Sequence, residues 1–116
     1  MTRSILFVIS DDPRVSGRPA EAIRIAAGIG QWDKVDVSVY LRDAAVLILG
    51  ENTVEMVDSD NYERYLPLLA KAHRPIYAQS GALSLNRMEK GSFAFREISD
   101  VELAQLAAHH AQVIRF

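Results

Sequence analysis

The sequence of 116 residues contains no cysteine. That absence excludes disulfides, thiolate metal sites, cysteine nucleophiles and the covalent carriage of sulfur as a persulfide, in whatever fold the chain adopts. An excess of basic charge is also missing. Thirteen Lys and Arg stand against fifteen Asp and Glu, interspersed, for a net charge of −2. No broad positive surface is offered to a nucleic-acid backbone, so no nucleic-acid partner is expected. The apolar stretch near the N-terminus, Ile5 to Ile9, is only five residues long and runs into Asp11 and Asp12. It is too short for a signal peptide or a membrane span, which points to a cytoplasmic protein with no membrane attachment. Neither G-x-G-x-x-G nor G-x-x-x-x-G-K-[ST] occurs. The dinucleotide fingerprint and the P-loop are therefore ruled out, and no cofactor is expected.

What is present is an ordinary globular composition. Apolar residues make up 49% of the chain, enough for one core and a single domain over residues 1–116. Ser4 to Ser10 is a β-rich apolar run ending in Asp-Asp-Pro, the pattern of a strand buried on both faces near the centre of a parallel sheet. Pro19 opens a helix with Ala22, Ile23, Ala26 and Ala27 on one face, which Gly28 and Gly30 end. Val35 to Leu41 alternates apolar and polar, predicting a second strand at or near an edge. Asp43 is placed to N-cap a short apolar helix, Ala44 to Leu49, ended by Gly50, and Glu51 to Asp60 reads as loop.

Tyr62, Leu66, Leu69 and His73 fall on one face of a helix over 61–73, bent at Pro67. His73 at its C-terminal end suits the helix dipole. Arg74 before Pro75 leaves helical geometry, so Ile76 to Ala78 starts a third strand. Asn86 to Lys90 is at most a helical turn. Phe93 to Ile98 reads as a fourth strand, Val101 to His110 as a helix capped by Ser99 or Asp100, and Gln112 to Phe116 as a fifth strand. Strands alternating with helices predict a three-layer α/β/α fold with a mainly parallel five-stranded sheet.

In such a sheet ligands gather beyond the carboxyl ends of the strands, where helix N-termini offer free N–H groups. Ser10, Asp11, Arg14, Ser16 and Arg18 follow the first strand, Arg42 and Asp43 the second, Gln79, Ser80 and Gly81 the third, and Ser99 and Asp100 the fourth. Arg14, Arg18 and Arg42 with Gln79, Ser80 and Gly81 form a candidate site for a small anion, since guanidinium forks and backbone donors both suit oxyanions. The competing reading pairs these arginines with Asp11, Asp12 and Asp43 on a solvated rim. Ser80 lacks the G-x-S-x-G context of a hydrolase elbow and reads as a turn cap, so no catalytic residue is assigned. His109 and His110 diverge by about 100° on a helix, so no metal site is expected.

The layout resembles the DsrE/DsrF-like family of small sulfur-relay proteins. The resemblance rests on the opening strand and loop "ILFVISDDPRVSGRPAEAIRIAAG", on "VYLRDAAVLIL", and on the helix and strand "YLPLLAKAHRPIYAQSGAL". It covers about the first three quarters of the chain and is one of pattern rather than of a diagnostic motif. Sulfur-carrying members are similar in placing a cysteine just after the third strand, within a stretch equivalent to Pro75 to Ala82. Here that stretch holds Tyr77-Ala78-Gln79-Ser80-Gly81, and serine neither forms a persulfide nor has a thiol's low pKa. The resemblance thus implies the architecture without the transfer chemistry: a non-catalytic homo-oligomer, trimeric or hexameric, binding a partner protein or small anionic ligand. Ala44 to Leu49 with Thr53, Val54, Met56 and Val57 is the expected subunit contact. The rival readings are a small enzyme using Ser80 with arginine assistance, and a flavodoxin-like nucleotide or flavin binder.

Overall fold

The structure is a computed structural model, and it describes residues 3–82, 91 and 93–116. The strands are β1 (Arg3–Ile9), β2 (Val35–Leu41), β3 (Ile76–Gln79), β4 (Arg96–Ile98) and β5 (Gln112–Arg115). The helices are α1 (Arg18–Gly30), α2 (Ser59–Lys71) and α3 (Asp100–Ala108), with a 3₁₀ segment over Asp43–Leu49. All neighbouring strands pair in parallel, in the order β4-β3-β2-β1-β5. The chain steps outward from β1 through β4 and then returns past β1 to β5. With right-handed crossovers, that reversal puts α3 on the face opposite α1 and α2. The result is the three-layer α/β/α arrangement that the alternation of elements predicts.

The α1/α2 face carries the main core. Phe7 and Ile9 of β1 and Val37, Val39 and Leu41 of β2 meet Ala22, Ile23, Ala26 and Ala27 of α1 and Tyr62, Leu66 and Leu69 of α2, all essentially inaccessible. The opposite face has a smaller cluster, Leu6, Val8, Tyr40 and Ile98, over which Leu103, Leu106 and Ala107 of α3 are only partly buried. Arg74 ties the sheet to α1: its Nε donates to the Gly30 carbonyl at 2.9 Å and a terminal nitrogen to the Trp32 carbonyl at 2.8 Å. The first of those bonds satisfies a carbonyl that the end of α1 otherwise leaves open.

Several elements depart from the sequence-based expectations. β2 is the central strand, not an edge, and two of its alternating residues are internal, Tyr40 fully buried and Ser38 6% exposed, while Asp36 at its start stays exposed. Ser38 tolerates this because its hydroxyl lies 3.2 Å from His110 Nε2, across the α3 face. Asp43 does not N-cap the following segment. Arg42 holds that position and Asp43 is the first residue inside, at φ 53°, a left-handed conformation that aspartate accepts more readily than most.

The same segment is not a free contact surface, because Ala45, Val46, Ile48 and Leu49 are wholly buried in the chain's own core and Met56 nearly so. Of the expected contact residues, Val54 and Val57 stay exposed. α1 continues through Gly28 to Gly30. α2 is one continuous helix through Pro67, which sits on its solvent side, where water can serve the carbonyl that proline leaves unbonded. His73 falls outside α2 at φ 57° and is exposed. β4 is shorter than predicted, with Phe93 and Phe95 packed against the main core instead of pairing. The predicted turn at Asn86 to Lys90 lies outside the described residues.

Candidate functional site

The carboxyl ends of the strands are linked by backbone and side-chain hydrogen bonds. Arg42 N–H donates to the Ile9 carbonyl at 3.0 Å, Ser10 N–H to the Phe116 carbonyl at 2.8 Å, and Ser80 N–H to the Ile98 carbonyl at 2.9 Å. Gln79 Oε1 accepts from the Asp43 N–H at 2.8 Å, so the turn after β3 holds the start of the 3₁₀ segment in its left-handed first step. Gly81 has φ 76°, a value costly for a residue with a Cβ, and lets the chain turn away immediately after Ser80. Gly91 is fixed for a different reason: an added Cβ would sit 2.7 Å from the Leu49 carbonyl oxygen, to which Gly91 N–H donates.

Each candidate arginine has a carboxylate partner in its own loop. Arg14 grips Asp12 through Nε at 3.0 Å and a terminal nitrogen at 2.8 Å, while its backbone N–H donates to the same carboxylate. That guanidinium holds the Asp12 carboxyl below its ordinary pKa, against a smaller opposing effect of burial. Arg18 lies 3.6 Å from Asp11 and places its guanidinium 5.7 Å from the centre of the Phe116 ring. Arg42 is 3.8 Å from Asp43. Asp11 also accepts from Ser16, whose hydroxyl accepts from the Arg18 N–H. The side chains of Arg14 and Arg18 remain more than 60% exposed. These are pairs at a solvated rim, with most guanidinium donors still open to water or a ligand.

Gln79, Ser80 and Gly81 form the adjoining turn. Ser80 is exposed, and among the described residues no histidine or carboxylate lies within hydrogen-bonding distance of its hydroxyl. Such a hydroxyl can accept or donate a hydrogen bond to a ligand, but it has no base to make it a nucleophile. Two of the three histidines are engaged elsewhere: His109 Nδ1 lies 2.6 Å from the Gln105 carbonyl and His110 Nδ1 2.7 Å from the Leu106 carbonyl. No group of three potential metal ligands is assembled among the described residues. No helix among them is long and apolar enough to cross a membrane.

Two features escaped the sequence reading. Tyr40, at the carboxyl end of β2, has a buried hydroxyl with no partner among the described residues. Its pKa is raised by burial, with Arg42 opposing and Asp100 and Asp43 reinforcing the shift. The alternation Asp36, Ser38, Tyr40 disguised it as a half-exposed residue. The second feature is a groove on the α3 face, bordered by Tyr77, Arg96 and His109. No motif announces it, because its residues come from three elements.

A three-layer α/β/α protein with an open parallel sheet and its polar loops at the carboxyl edge is the class that this fold and edge define. No protein-family model matches the chain, and no curated protein does. Among solved structures the chain is similar to the YchN protein from E. coli, with a TM-score of 0.77 and 22% identity over 100% of both chains. The superposition establishes a common fold, and at that identity the fold alone.

Proposed function

We propose that the chain is a DsrE/DsrF-like protein that has the family's scaffold without its sulfur-carrying thiol. It works as a cytoplasmic homo-oligomer, trimeric or hexameric, that holds a partner protein or a small anionic ligand at the carboxyl edge of its sheet. The observation that carries this reading is the stretch at the end of β3, Tyr77-Ala78-Gln79-Ser80-Gly81, which holds no thiol, in a chain with no cysteine anywhere. The fold shared with YchN supports the scaffold half of the proposal. The arginine-bearing loops support the ligand half, with Arg14, Arg18 and Arg42 as the anion-binding cations and Gln79, Ser80 and Gly81 as the turn that borders them. Val54 and Val57, exposed beside the buried 3₁₀ segment, are the residues left to serve an interface there.

The test is assembly and binding in paired variants. Light scattering on the purified protein is expected to give a mass of three or six chains, unchanged by Ser80→Ala. Titration with inorganic sulfite or phosphate is expected to be weakened by Arg42→Gln, while Ser80→Ala, which removes at most one neutral hydrogen bond, leaves it nearly intact. A monomer at all concentrations would overturn the oligomer. A turnover activity abolished by Ser80→Ala would establish the enzyme reading in its place.

A further inference from the structure

We propose that the groove between α3 and the β3–β4 side of the sheet binds a small carboxylate with a flat apolar body. The cavity is about 290 Å³, just under the roughly 300 Å³ at which sites for drug-sized molecules begin, which limits it to a small ligand. Its floor is apolar: Ile98 is 4% exposed, and Tyr77 and Leu106 are half-buried beside it. A ring or short alkyl chain laid on that floor would cover surface that α3 leaves open.

The rim decides the sign of the ligand. Glu102 is its acid, and both carboxylate oxygens are already engaged: Oε1 accepts from the Ser99 N–H at 3.1 Å and Oε2 from Arg96 at 3.3 Å. The first of these bonds belongs to the capping box of α3, so Glu102 is held by its own helix. Arg96 offers a single nitrogen to that contact and keeps the rest of its fork unengaged among the described residues, on a side chain 74% exposed. His109 Nδ1 donates to the Gln105 carbonyl, which leaves Nε2 of the neutral ring as an acceptor. The Gln105 side-chain amide adds donors with no partner among the described residues. The spare donors, on Arg96 and the Gln105 amide nitrogen, still outnumber the spare acceptor atoms, His109 Nε2 and the Gln105 side-chain oxygen, and an acceptor-rich anion complements them better than an amine does. The planar fork of arginine matches a carboxylate in particular.

None of Arg14, Arg18, Arg42, Gln79, Ser80 and Gly81 borders this groove. The site is separate from the carboxyl-edge loops, and its fate is independent of the family reading.

The experiment is a titration of isotope-labelled protein with benzoate, followed by amide chemical shifts. Benzylamine and benzyl alcohol serve as probes of the same ring without the anion. Benzoate is expected to give saturable shifts at Ile98, Gln105, Leu106 and His109, with a Kd on the order of 1 mM. Arg96→Gln is expected to weaken binding about tenfold or more while the remaining spectrum stays in place, since the side chain is exposed. The proposal is overturned if benzoate gives no saturable shifts, if benzylamine binds equally well, or if Arg96→Gln binds as tightly as the parent.

Discussion

On the α1/α2 face, side chains from two strands meet side chains from two helices of thirteen residues each, and Phe7, Ile23, Leu41 and Leu69 are sealed from water. On the α3 face, one helix of nine residues serves the same sheet, and none of its residues is fully buried. What holds α3 is polar as much as apolar: the reciprocal Ser99 and Glu102 capping box at its start, and the contact of His110 with Ser38 beyond its end. Burial of a large aliphatic side chain is worth about 1.5 to 3 kcal/mol, so stability is concentrated on the first face. The second face is left with an open groove whose rim carries free donors.

The largest break in that asymmetry is expected from Leu69→Ala. Its side chain is wholly buried on the α1/α2 face, and its loss should cost about 2 to 5 kcal/mol, read as a lower urea midpoint. Leu106→Ala, on a half-buried side chain of α3, should cost about 1 kcal/mol. Equal losses from the two would contradict the comparison.

Ser38→Ala is next, at about 1 kcal/mol, because it leaves His110 Nε2 without its partner. Its signature is local: amide exchange should quicken in α3 and β5 and stay unchanged in α1 and α2.

The smallest effect is seen only in base. Burial raises the pKa of both Tyr62 and Tyr40, while an unfolded tyrosine ionises near about 10. The folded chain then keeps protons that the unfolded chain loses. Their contribution is complete below the unfolded value and is lost as pH rises from there through the raised folded values. Tyr62→Phe should flatten this loss above about pH 10 and leave stability at neutral pH nearly unchanged, since the hydroxyl it removes has no partner among the described residues.

Features set by neighbours in sequence were legible before the structure. β1, the apolar face of α1 and a cap at Ser99 or Asp100 all follow from local spacing. Features set by distant partners were not. Ser38 and Tyr40 look like an outward face until His110, 72 residues on, covers the strand. Asp43 looks like an N-cap until Gln79, 36 residues on, takes its N–H. Of the candidate site, the positions at the strand ends could be read from topology. The pairing of each arginine stood as one of two alternatives, and the groove beside α3 could not be read at all, since it exists only once Tyr77, Arg96 and His109 share a cavity.

The central functional claim is that this scaffold holds ligands and does not carry sulfur. Intact mass spectrometry of the purified protein after incubation with a sulfane-sulfur donor tests it most directly. The expected result is an unchanged mass, with Ser80 unmodified. A covalent gain of one sulfur that survives denaturation and is removed by a thiol reductant would contradict the claim.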